Sequence, residues 1–244
     1  MVWDPDTGLG GAGDRFPSTR RSLLSEARNG AGPIRRDALE EILTIYWKPA
    51  YKHIRLKWNR DNEQAKDLTQ GFFTSALERG LLERFQPDRA SFRSYLKMCI
   101  DGYVANEAQS EQRLKRGGGV SVVPLDFDQA EREITIATSD ASLEDVFHRE
   151  WQRQMFILGI EELRRVCAEQ GRDVQWRIFE QYDLASGDRP TYEALSRQFQ
   201  LPATTITNHL AWARRELRRM VIERLARVTG GETETRGEAS QLFG

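Results

Sequence analysis

The chain has 244 residues with 36 basic and 37 acidic side chains and a formal net charge of −1, so it can form one large or two small domains, and its bulk charge does not decide for or against a nucleic-acid partner. Its two cysteines, Cys99 and Cys167, have no second cysteine or histidine at metal-ligand spacing, which argues against a zinc site and for two core thiols in a reducing compartment. No apolar run approaches the ~20 residues that span a bilayer, and the start lacks an apolar leader, so the expected protein is soluble and cytoplasmic, without a membrane partner.

Residues 1–14 hold four glycines and a proline among few apolar groups, a composition expected to be disordered. Order is expected from near Phe16. From Asp37 the pattern turns helical, with Leu39, Ile42, Leu43, Tyr46 and Trp47 on one stripe and Tyr51, Ile54, Leu56 and Trp58 beyond Pro49. Pro49 should kink this helix or open a new one. Lys48, Lys52, Arg55 and Lys57 surround the second stripe; they read as a solvated helix face, with a nucleic-acid surface as the alternative.

Asp67 to Arg79 predicts an amphipathic helix with Leu68, Phe72, Phe73, Ala76 and Leu77 on its apolar side and Asp67, Gln70, Thr74 and Glu78 opposite. Pro87 and Asp88 signal a turn, and Ser91 can cap the helix that follows, Phe92 to about Gln109. Arg93 and Lys97 belong on the rim of that helix. Gly117-Gly118-Gly119 ends any helix, and the stretch from there to Asp145 carries seven acidic residues and one arginine. With no sustained helical period it reads as an extended acidic connection, part of which could form short strands.

Helical spacing resumes at Leu143 and runs through Val146, Phe147, Trp151, Met155, Leu158, Ile160 and Leu163 to Cys167; a further helix holds Trp176, Ile178, Phe179 and Tyr182. Thr191 to Arg219 then reads as two helices about a tight turn. Tyr192, Leu195 and Phe199 form the apolar side of the first, and Ile206, Leu210, Ala213 and Leu217 that of the second, either side of Gln200-Leu201-Pro202. Thr204, Thr205, Thr207, Asn208 and Trp212 lie on the other side of the second helix, leading into Arg214, Arg215, Arg218 and Arg219. Hydroxyl and amide groups can read base edges and arginines neutralise phosphates, so the pair suits a DNA-reading helix-turn-helix rather than an ordinary helical hairpin. The helix should continue to Thr229, where Gly230-Gly231 stops it, and the tail to Gly244 is expected to be loose.

A catalytic reading finds little support. His53, His148 and His209 are isolated, and there is no HExxH, no GxSxG and no phosphate loop after the triple glycine. The expectation is a non-enzyme with no catalytic residue, metal, cofactor or small-molecule substrate.

The order of these motifs resembles bacterial RNA polymerase sigma factors of the sigma-70 family, specifically the two-domain extracytoplasmic-function type, over roughly residues 35–225. Asp67-Leu68-Thr69-Gln70-Gly71-Phe72-Phe73 is similar to the family's DLxQexF helix. Asp88-Arg89-Ala90-Ser91-Phe92-Arg93-Ser94-Tyr95-Leu96 is similar to its aspartate-arginine turn and sFRxWL segment. Tyr192 to Ser196 and Thr205 to Arg214 are similar to its YeeIA…TVxxxLxRAR helix-turn-helix.

The resemblance implies an all-α chain: a disordered start (1–15), a region 2 helical bundle (16–116), an extended acidic linker (117–145), a region 4 helix-turn-helix domain (146–229) and a flexible tail (230–244). It also implies that Asp67, Gln70, Thr74 and Glu78 dock the clamp helices of core RNA polymerase, with the polymerase flap as a second contact. Arg93, Tyr95, Lys97 and Asn106 would hold the opened −10 element. Thr205, Thr207, Asn208, His209, Ala211, Trp212, Arg214 and Arg215 would face the −35 element, and an anti-sigma or other regulatory protein would be a further partner. This chain departs from the family pattern at Met98, Asp101 and Gly102, at Thr207, His209 and Trp212 where basic residues are usual, and at Gln200 where the turn usually has glycine. The alternatives are a stand-alone helix-turn-helix regulator and a sigma-like decoy that holds a partner without reading DNA.

Overall fold

The computed structural model describes residues 23–78, 80–86, 89–110, 125–137, 146–185, 187–229 and 231–243. Among them are helices α1 (Leu23–Asn29), α2 (Gly32–Lys57), α3 (Asn62–Glu78), α4 (Leu81–Arg84), α5 (Phe92–Ser110) and α6 (Phe127–Ala137). They are followed by α7 (Val146–Glu169), α8 (Asp173–Phe179), a π-helical turn (Glu180–Leu184), α9 (Tyr192–Phe199), α10 (Ala203–Val228) and α11 (Glu232–Phe243). The described residues contain no strand, in keeping with the all-α expectation. They divide into two compact units, one within Phe156–Arg224 and the other within Thr19–Met155 together with Leu225–Gly244. The expected disordered start and the triple glycine lie outside the described residues.

The larger unit is built around α2. Pro33 sits in its first turn, where a missing N–H costs nothing, and Pro49 lies inside a helix that continues to Lys57. A mid-helix proline costs about 3 kcal/mol. That cost is opposed by burial on both sides of it, since Ile45, Tyr46, Ala50, Tyr51 and Ile54 are all fully or almost fully enclosed. Ala65, Leu68 and Phe72 of α3 and Phe92, Leu96, Ile100 and Val104 of α5 complete this core. Tyr46 and Phe92 meet edge to face with ring centres 5.5 Å apart.

Beneath this core a polar knot forms on Asp101. Its carboxylate accepts from His53 Nε2 at 2.8 Å, Trp58 Nε1 at 2.9 Å and Lys57 Nζ at 2.8 Å. Burial pushes this carboxyl up, but the three donors outweigh it and hold Asp101 below the ordinary carboxylate value. For the fully enclosed His53 the balance goes the other way: desolvation outweighs the carboxylate and pushes its pKa down.

Three expectations are corrected in this unit. Part of the acidic stretch expected to be extended, residues 127–137, is the helix α6; the rest of it is outside the described residues apart from Leu125 and Asp126. Asp126 caps α6 by accepting from the Gln129 amide at 2.9 Å. Phe127, Ala130 and Ile134, at helical spacing, are buried. Second, Lys48 and Lys52 are 5 % and 4 % exposed, so they form neither a solvated face nor an open nucleic-acid surface. Glu133 of α6 meets Lys48 at 3.2 Å and Lys52 at 2.7 Å, and Glu150 meets Lys52 at 2.9 Å. Third, the tail is not loose over 232–243: α11 buries Thr235, Glu238 and Ala239. Glu238 pairs with Arg93 at 2.7 Å, and the Thr235 and Thr229 hydroxyls bond each other.

The smaller unit packs the later part of α7, α8, α9 and α10 around Leu158, Leu163, Cys167, Ile178, Phe179, Leu195, Ile206, Leu210, Ala213 and Leu217, all buried. Gly159 lets α7 and α10 approach closely, because a Cβ there would stand 2.7 Å from Val221 Cγ2 and 3.1 Å from Leu217 Cδ1. Cys167 is a core thiol as expected, whereas Cys99 is only half-buried.

Candidate nucleic-acid interface

The local sequence explains the α9–turn–α10 geometry. The Thr191 hydroxyl accepts from the Ala194 amide at 3.1 Å and starts α9. Gln200 ends it in the left-handed region, with φ 55° and ψ 40°. The Leu201 amide donates to the Ser196 carbonyl at 3.1 Å, and the Ser196 hydroxyl donates back to the Leu201 carbonyl. The turn is thus closed from both sides without the usual glycine. Pro202 then accepts at its carbonyl from Thr205 and Ile206 and opens α10.

At about 100° per residue, the buried Ile206, Leu210, Ala213 and Leu217 define the inner side of α10. The outward stripe carries Thr204, Asn208, Ala211 and Arg215, within roughly 60° of one another. Thr204, Asn208 and Arg215 are exposed. Thr207 and Trp212 flank this stripe on either side. Thr207 is exposed and donates its hydroxyl to the Thr204 carbonyl at 2.9 Å, which leaves its oxygen to act as an acceptor. Asn208 can pair in two-point fashion with adenine, and Ala211 can touch a thymine methyl.

The remaining expected contacts are placed differently. Thr205 lies on the flank beside Trp212 and His209 toward the inner side, and both are half-buried. Arg214 does not face outward: it grips Asp183 of the π-helical turn through Nε and Nη2, each at 2.9 Å, with both side chains only 11–12 % exposed. Its guanidinium also lies 5.6 Å from the Tyr182 ring, which stacks on Tyr192 of α9. Arg214 therefore fixes α10 against α8 and α9 rather than contacting phosphate. Arg219, likewise, is bridged to Glu216 and Glu223, each at 2.8 Å.

One cation on this surface was not legible in the sequence. Arg172, just before α8, stacks its guanidinium 4.5 Å from the Trp212 ring, so a charge absent from α10 itself is supplied beside it by another segment. Burial first, and the Arg172 charge second, push the His209 pKa down, so His209 presents a neutral ring near pH 7.

In the larger unit, α3 brings Asp67, Gln70, Thr74 and Glu78 onto one side within about 80°, opposite the buried Ala65, Leu68 and Phe72. Asp67 and Glu78 are exposed and Gln70 and Thr74 half-buried. The four α5 residues are not brought together. Arg93 and Lys97 share one flank, whereas Tyr95 and Asn106 lie roughly 180° away. Arg93 is held by Glu238 and stacks 4.6 Å from Trp151. The Tyr95 hydroxyl donates to the Leu81 carbonyl at 2.9 Å.

Among the described residues there is no group of three or more His, Cys, Asp or Glu placed to hold a metal ion, and no helix long and apolar enough to cross a membrane. No protein-family model, curated protein or solved structure matches this chain.

Proposed function

We propose that this chain is a promoter-recognition factor resembling the extracytoplasmic-function sigma factors: it binds core RNA polymerase and directs it to particular promoters in the cytoplasm. The observation that carries the reading is the outward stripe of α10, Thr204, Asn208, Ala211 and Arg215, held by a capped helix-turn-helix with Arg172 beside it. Hydroxyl, amide and methyl groups in a row about one helix turn apart suit the edges of bases in a major groove, and the two arginines suit the flanking phosphates. The single polar side of α3 supplies a docking face for the polymerase, which carries the catalysis.

Arg93 and Tyr95 are engaged within the fold and Lys97 and Asn106 lie on different sides of α5, so duplex reading by α10 takes the leading part in promoter choice.

The test is capture of purified core polymerase by the full chain, followed by transcription in vitro from genomic fragments. Asp67→Ala/Glu78→Ala should weaken capture, and Asn208→Ala/Arg215→Ala should leave capture intact while abolishing promoter-directed transcripts. Failure to bind core polymerase overturns the proposal. A footprint on duplex DNA by the chain alone would favour the stand-alone regulator, which the same α10 stripe could serve.

A further inference from the structure

A dense charge match lies away from α10, between α2 and α6. Lys48, Lys52 and Arg55 form a stripe on α2 spanning about 60°. Two aromatic side chains, Trp47 and Tyr51, flank this stripe on one side. The α6 helix answers this pattern with carboxylates: Glu133 takes Lys48 and Lys52, the latter shared with Glu150 of α7 at 2.9 Å, Glu131 takes Arg55 at 2.8 Å, and Asp128 approaches Lys66 of α3 at 3.5 Å. Phe127 sets its ring against Trp47 at 5.3 Å and Tyr51 at 5.1 Å, edge on in both cases. The Tyr51 hydroxyl donates to Glu131 at 2.6 Å.

A basic stripe flanked by aromatics is what single-stranded nucleic acid needs: cations follow the phosphates and rings stack on bases. An acidic protein segment would need the cations alone. On α6, carboxylates occupy the positions phosphates would take, and Phe127 covers, edge on, the rings on which bases would stack. We infer that the α2 face formed by Trp47, Lys48, Tyr51, Lys52 and Arg55 is a single-stranded nucleic-acid binding surface, and that α6 covers it as an internal mimic of that ligand. The inference is independent of the role given to α10, since none of its groups belongs to the helix-turn-helix.

Binding is then a competition in which only the uncovered fraction of molecules takes the strand, so the apparent affinity rises when α6 is weakened. The experiment compares the full chain with the variant Phe127→Ala/Glu131→Gln/Glu133→Gln, using fluorescence anisotropy of a labelled thymidine oligonucleotide at low salt. The variant should bind roughly tenfold more tightly, with a salt dependence steeper by about two, as expected for three added phosphate contacts on a single strand. Adding Lys48→Gln/Lys52→Gln to that variant should cancel the gain. No gain, or a gain that survives loss of the two lysines, overturns the inference. A second measurement uses the unaltered chain: saturating oligonucleotide should speed hydrogen exchange of the α6 amides, and unchanged or slower exchange there overturns it as well.

Discussion

Replacing Gln200 by glycine should stabilise the helix-turn-helix. The residue sits at φ 55° and ψ 40°, a conformation that costs an L-residue roughly 1–2 kcal/mol through the crowding of Cβ against its own carbonyl. Glycine removes that crowding but has more freedom to lose on folding, which returns about 0.5–1 kcal/mol. The exposed Gln200 side chain offers little to offset the difference, and the two bonds that close the turn belong to Ser196 and Leu201. The balance is a gain of about 0.5–1 kcal/mol, equivalent to a rise in Tm of about 2–8 °C for a cooperative unit of this size. The assay is thermal and urea denaturation by circular dichroism across a series at this position. The expected order is glycine, then asparagine, then the native glutamine, with valine least stable because a β-branched side chain tolerates positive φ worst. A glycine variant less stable than the native chain would refute the reasoning. So would a valine variant as stable as the native chain.

Three other outcomes follow from the packing. Arg214→Ala leaves the nearly enclosed Asp183 without its partner and should cost about 3 kcal/mol, whereas Arg214→Ala/Asp183→Ala should recover part of that loss; a double-mutant cycle by urea denaturation reads the coupling. Gly159→Val should destabilise the same unit by about 2 kcal/mol through overpacking against Val221 and Leu217, measured by the same denaturation. His53 stays neutral in the fold below its ordinary value of about 6.5, because burial lowers its pKa. The unfolded chain therefore takes up a proton that the folded chain refuses, and stability falls as pH drops through that window. Urea midpoints at pH 7.5 and 5.5 should show this drop, and His53→Gln should shrink it even though the variant starts less stable.

How much of this was readable in the sequence depended on whether the signal was local and apolar. The α9–turn–α10 pair was legible because Leu195, Ile206, Leu210, Ala213 and Leu217 keep helical spacing about a proline-marked turn. The polar side of α3 was legible for the same reason. The α6 helix was missed because only Phe127, Ala130 and Ile134 carry its period within a charged run, and the rest of its anchoring comes from polar contacts with residues some 80 positions away. The α11 helix was missed because two of its three buried side chains, Thr235 and Glu238, are polar and gain their place by bonding to Thr229 and Arg93. Arg93 and Arg214 were read as outward cations because a sequence shows the charge of a side chain but not its partner. The place of Arg172 beside Trp212 was invisible for the converse reason, since nothing near it in the chain refers to Trp212.

The stacking of Arg172 on Trp212 has a consequence for moving the outward face of α10 to another scaffold. Under the proposed DNA-reading role, transplanting the outward residues of α10 alone moves the groups that would read bases but leaves behind the charge beside them. A working graft must carry the segment from Arg172 through the π-helical turn as well, because Asp183 sets the angle of α10 through Arg214. The portable module is therefore the whole stretch from Arg172 to Arg219, rather than α10 alone.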